Sequence, residues 1–124
     1  MYKKTVTYKD FNKNERTEDF YFHLNRAEII KWMTTSGGYT LDKMIEQLTR
    51  EENGEKIMEI FDDLLIRSYG VKSLDGKQFI KSDEVKEAFK YSEAYSVIFT
   101  ELVTDANKAS EFVTAILPSD LFSS

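Results

Sequence analysis

The chain contains no cysteine among its 124 residues, which removes disulfides, thiolate metal sites and cysteine nucleophiles together. Histidine occurs once, as His23, so no histidine cluster within one chain is available to hold a metal. No apolar run approaches the roughly 18 residues that a membrane-spanning helix requires. The opening stretch MYKKTVTYKD has lysines but no apolar block behind them, so neither a signal peptide nor an anchor is expected. Basic charge is also in short supply. Against 17 lysines and arginines stand 22 acids, a formal charge of -5. Nucleic-acid binders draw most of their affinity from phosphate neutralisation, and here the cations are dispersed among acids without a basic cluster.

What is present is a composition with 41% hydrophobic residues, sufficient for one soluble domain. A chain of this length buries roughly two thirds of its unfolded surface without staples. The expected fold is α+β, mainly α: a hairpin over 1–24, a helical part over 25–117 forming a compact bundle of about five helices, and a tail over 118–124.

Lys3 to Tyr8 is rich in Thr, Val and Tyr, and Asp19 to Leu24 in aromatics, compositions that suit strands. The intervening DFNKNERT is a cluster of turn formers, giving a β-hairpin with Val6 and Tyr8 on one face of its first strand and Phe20, Phe22 and Leu24 on one face of its second. A lone hairpin is marginal in water, so that face needs a cover. Asp10, Asn12 and Asn14 imitate the first ligands of a calcium loop, but the sixth position is Glu15 instead of glycine and the twelfth is Tyr21 instead of glutamate. An Asx turn is the better reading, and no metal is assigned.

Asn25 is placed to cap a short helix, RAEIIKWMTT, with Glu28 reaching back as the partner in a capping box. Ala27 and Ile30, with Met33 or Trp32, are its expected buried face, and Ser36-Gly37-Gly38 its stop. A second helix, LDKMIEQLTRE, capped by Thr40 or Asp42, is closed by Asn53-Gly54. The third, EKIMEIFDDLLIRSY, carries Ile57, Ile60, Phe61, Leu64 and Leu65 on one stripe, Met58, Ile66 and Tyr69 outside it, and Gly70 as its stop. The connector VKSLDGKQFIK, with Asp75-Gly76, forms a tight turn or a minimal hairpin.

Ser82 then caps one long helix, DEVKEAFKYSEAYSVIFTELV, with Val85, Ala88, Phe89, Tyr95, Phe99, Leu102 and Val103 on one face and Tyr91, Ala94 and Ile98 on a neighbouring one. Asp105 caps the last helix, ANKASEFVTAIL, whose aligned residues are Ala109, Phe112, Val113 and Ile116, and Pro118 follows its end. In the tail, Leu121 and Phe122 either dock back on the domain or face a partner.

Nothing here has the spacing of a catalytic site. Asp62-Asp63 and Glu51-Glu52 are adjacent on helices and diverge, as solvated faces do. His23 alternates away from Phe22 and Leu24, with no partner legible from the sequence. The expectation is a non-enzymatic protein with no catalytic, cofactor-binding or metal residues.

One resemblance gives this bland reading a direction. The run SLDGKQFIKS from Ser73 to Ser82, followed by DEVKEAF, SEAYSVIFTELVTDA and EFVTAILP, resembles the C-terminal half of the tail assembly chaperones of long-tailed bacteriophages and of prophages of Gram-positive bacteria. DFNKNERTEDFYFHLNRAEI is similar to that family's start, and the likeness thins between Trp32 and Glu55. The resemblance implies a chaperone that binds the tape measure protein before or while tail tube subunits polymerise around it, with the tail tube protein a candidate further partner. It implies action in the host bacterial cytoplasm, absence from the mature virion, and in many members a longer form made by ribosomal frameshifting. Self-association around the client is a corresponding expectation, with no nucleic acid or membrane involved. A regulatory adaptor of phage or host, or a small head-tail structural protein, is the alternative. If exposed aromatics mark the client surface, the residues to inspect are Tyr21, His23, Trp32, Tyr91 and Ile98.

Overall fold

The computed structural model describes residues 1–35 and 54–117, with side chains described for 1–32 and 58–117. The elements in order are β1 (Tyr2–Lys9), β2 (Glu15–Phe22), α1 (Arg26–Thr35), α2 (Gly54–Ser68), β3 (Tyr69–Lys72), β4 (Phe79–Ile80), α3 (Asp83–Lys90), α4 (Glu93–Thr104) and α5 (Ala106–Ile116). The architecture is α+β. The expected second helix, its Asn53 stop and the tail beyond Leu117 lie outside the described residues.

The N-terminal hairpin forms as its alternation demands, and β2 starts earlier than its turn-like composition implies, at Glu15. Asp10 explains the short loop. One of its oxygens accepts from the amides of Asn12 and Asn14, the other from Arg16 Nε at 2.6 Å, and Lys13 takes the left-handed conformation at φ 66°. The register pairs Tyr2 with Phe22, Lys4 with Phe20, Val6 with Glu18 and Tyr8 with Arg16, so these residues share the inner face. The outer face is a polar ladder: Thr5 donates to Asp19 at 2.6 Å and Thr7 meets Thr17 at 3.0 Å.

The hairpin is part of a four-stranded antiparallel sheet in the order β1-β2-β3-β4. The third helix ends at Ser68, one residue short of its expected span, because Tyr69 and Gly70 pair with Phe22 and Tyr21 as a strand. Gly70 is therefore not a helix stop. A Cβ there would lie 2.7 Å from Phe79 Cε2 and 2.9 Å from the Ile80 carbonyl oxygen, so the glycine is required by the close approach of β4. The connector is a hairpin, its turn held by Asp75 Oδ1, which accepts from the Ser73 hydroxyl and the Lys77 amide, and by Gly76 at φ 74°.

Phe22 on the inner face is the hub of the core. Its ring meets Phe89 of α3 and Phe112 of α5, both at 5.6 Å in edge-to-face geometry, and Phe112 meets Phe61 of α2 at 6.5 Å. Beyond β2 the chain is gripped by helix ends: the His23 amide donates to the Ser68 carbonyl and the Leu24 amide to the Ile116 carbonyl, each at 2.8 Å. On α2, Ile60, Phe61, Leu64 and Leu65 are buried as their spacing predicts, and on α5 so are Phe112, Val113 and Ile116.

Two helices differ from expectation. The capping box of α1 is present: Asn25 Oδ1 accepts the Glu28 amide at 2.8 Å and Glu28 Oε1 accepts the Asn25 amide at 3.0 Å. Among its described side chains the buried ones are Ile29 and the expected Trp32, while Ala27 and Ile30 face solvent; Met33 lies outside the described side chains. The box fixes the phase. Leu24 precedes the cap and Ile29 is the fourth helical residue, the two positions of a hydrophobic staple, and both are in the core. The long helix is broken into α3 and α4. Ser92 Oγ donates to the Phe89 carbonyl at 2.7 Å and accepts the Tyr95 amide, so it closes one helix and caps the next. The break re-phases the chain, and Phe89 on one side and Ala94, Ile98 and Leu102 on the other are all buried.

Candidate functional site

The structure separates the five residues nominated as surface candidates. Trp32 is 7% exposed and Ile98 is 2% exposed, so both are core. Tyr21 is half-buried on the outer sheet face, with the Lys72 ammonium 4.5 Å from its ring centroid. His23 is half-buried edge-on to Phe79 at 6.4 Å, and its Nδ1 is buried without a hydrogen-bond partner. Burial, then the chain's amino terminus and Lys81, push its pKa down. Tyr91, at the α3–α4 break, is the one of the five that stands exposed, at 70%, with the Lys90 ammonium 5.9 Å from its ring centroid.

Beside that break lies a cleft of about 250 Å³, which none of the nominated residues lines. One wall is the distal half of the hairpin, with Tyr8, Glu18 and Phe20; the others are Tyr69 of β3, Ala88 and Phe89 of α3, and Ser92. The residues of β2 from Glu15 to Asp19 are exposed, as is Ala88 on α3, so the cleft opens to solvent at this end of the hairpin. Aromatic rings make the floor: Tyr69 and Phe89 stack at 4.3 Å and 21°, and Phe20 lies 5.6 Å from Phe89 and 6.4 Å from Tyr8.

The polar rim is acidic. The Tyr8 hydroxyl donates to Glu18, which pushes the phenol up to about 12, with burial adding to the effect. Tyr69 is raised as well, first by burial and then by the charge of Glu18, so this carboxylate makes itself felt across the cleft. Asp19 also borders the cleft, but its oxygens are engaged by Thr5 and, at 3.6 Å, Lys3. Arg16, a cation on the same sheet face, is hydrogen-bonded to Asp10 and also feels the charge of Glu18.

The remaining charged groups at element junctions serve the fold. Lys81 donates to the His23 carbonyl at 2.6 Å and to Glu28 at 2.7 Å, tying the α3 approach to the α1 start. Lys86 donates to the Ile66 and Arg67 carbonyls at the end of α2, and burial, then the like charge of Lys81, lowers its pKa to about 8. Glu101 takes Lys4 from β1 and Lys108 from α5; burial works against its charge, but these two lysines hold its carboxyl below the usual range. No group of three or more His, Asp or Glu suited to a metal occurs among the described residues. No helix among them is long and apolar enough to cross a membrane.

Sequence reasoning missed this cleft because it joins residues from two hairpins and a helix break. One signal was available: Tyr69 falls outside the α2 stripe and therefore needed a different neighbour. What fold and site define together is an α+β chain with an open aromatic cleft rimmed by a carboxylate. The chain belongs to the phage tail assembly chaperone family, whose model matches residues 1–124. No curated protein and no solved structure gives a significant match to the chain.

Proposed function

We propose that this protein is a non-enzymatic assembly chaperone that binds the tape measure protein and assists tail tube polymerisation around it. The observation that carries the reading is the family match across the whole chain. The aromatic cleft supports it, since a helical client with an apolar stripe needs a complementary surface that holds it without locking it. Coverage of a long client has to be reversible, so several modest contacts made by multiple copies serve better than one very tight site. On this reading the chain works in the host cytoplasm, self-associates around its client and leaves before the virion is complete.

Co-expression of the chain with a tape measure fragment tests the proposal. The expected outcome is a soluble client that light scattering shows to carry several chaperone copies. A strictly monomeric chain that leaves the client insoluble would defeat it.

A further inference from the structure

We propose that the cleft beneath the hairpin receives a single cationic side chain, arginine or lysine, projected from an apolar helix of the client, with Glu18 as its counter-charge. The inference rests on the chaperone reading and specifies what its contact surface selects.

Size sets the first constraint. A cleft of about 250 Å³ has room for one long side chain. The floor supplies the second. Phe20 and Phe89 are buried, so the half-buried rings of Tyr69 and Tyr8 are the aromatic surface left to meet an aliphatic stem and a cationic head. Charge supplies the third. Glu28, Glu101, Asp10 and Asp63 are each matched internally by a lysine or arginine. Glu18 accepts the Tyr8 phenol and forms no ion pair among the described residues, although it borders the cleft; Arg16 on the same face feels its charge but is hydrogen-bonded to Asp10. Asp62 likewise takes the Tyr95 hydroxyl, but it lies outside the cleft. With an overall charge of -5, the surroundings favour a cation over an anion or a neutral chain.

The test uses the full chain and two synthetic amphipathic helical peptides with the same leucine stripe, one flanked by arginines and one by glutamates. Binding is followed by backbone amide shifts. The arginine peptide is expected to shift the amides of Phe20, Tyr69, Ala88 and Ser92, and the glutamate peptide none of them. Glu18→Gln should weaken the arginine peptide about five-fold, the scale of one exposed ion pair. Ala88→Lys, which supplies a competing cation from within an exposed position, should weaken it further. Equal binding of the two peptides, or affinity unchanged in both variants, overturns the proposal. So do concentration-dependent shifts at the cleft without peptide, which mark a second copy as its occupant. Co-expression with the tape measure fragment separates the two readings: if wild type and both variants keep the client soluble equally, the cleft proposal falls and the chaperone reading stands. If wild type fails to protect the client while the arginine peptide still binds as described, the chaperone reading falls.

Discussion

At the scale of single residues, Gly70 and Lys86 show how tertiary contacts assign roles that local chemistry leaves undefined. Gly70 follows a helix, where a glycine ordinarily ends it by adopting left-handed geometry. Here the demand comes from β4, whose backbone oxygen at Ile80 would sit 2.9 Å from a Cβ. Gly70→Ala is accordingly expected to destabilise the fold by about 1–3 kcal/mol, the usual range for overpacking, as a shift in urea midpoint. An unchanged midpoint would show that β4 moves freely. Lys86 is a charge held against its solvation preference. Its folded pKa of about 8 lies below the ordinary lysine value, so between about pH 8 and 10 the unfolded chain binds more protons than the folded one. Its penalty is fully present below that window and relieved as pH rises through it. Relative to Lys86→Met, the wild type should therefore gain stability from pH 7.5 to 9.5. Parallel urea midpoints at the two pH values would contradict the assignment.

At the scale of elements, the decisive event is the break between α3 and α4. The apolar pattern from Val85 to Val103 reads as one helix with two faces, but the break re-sorts them: Phe89 of α3 is buried with Ala94, Ile98 and Leu102 of α4, drawn from both faces, while Ala88 and Tyr91 are exposed. Ser92 makes the break by serving both ends, donating to the Phe89 carbonyl and accepting the Tyr95 amide. Ser92→Ala is expected to lower stability by about 0.5–2 kcal/mol, as loss of an N-cap does. It should also loosen the Phe89 ring, seen as line broadening in its aromatic NMR signals. A variant with wild-type stability and an unaltered Phe89 spectrum would mean that packing alone holds the break. The cap at Asn25 illustrates the same point in reverse. Its box was legible from Asn25 and Glu28, but the buried face of α1 follows the staple positions Leu24 and Ile29 instead of the spacing that pointed to Ala27 and Ile30.

At the scale of the whole molecule, one aromatic hub joins sheet to helices. Phe89 contacts Phe20 and Phe22 of β2, Tyr69 of β3 and Tyr95 of α4. Phe89→Ala should cost about 3–5 kcal/mol, a large share of the 5–15 kcal/mol that holds a typical domain. A large shift to lower urea concentration, read together by near-UV circular dichroism and tryptophan fluorescence, is the expected result. A shift in only one of these probes would show that the sheet and the helices near Trp32 unfold independently.

The sequence alone determined the hairpin, the caps at Asn25, Ser82 and Asp105, the apolar stripes of α2 and α5, and the resemblance to the tail assembly chaperones that the family match confirms. Those features follow from alternation, helical spacing and hydrogen bonds between residues a few positions apart, all of which are written locally. The tertiary structure alone decided that Tyr69 and Gly70 form a strand, that Ile29 and not Ile30 is core, and that an acidic aromatic cleft opens under the hairpin. Each of these depends on which distant surfaces meet: β2 pairing with β3, Phe22 collecting rings from α3 and α5, and Glu18, Tyr69 and Ala88 lining one cleft. Contacts of that kind are set by burial and packing over the whole chain, and no window of neighbouring residues contains them.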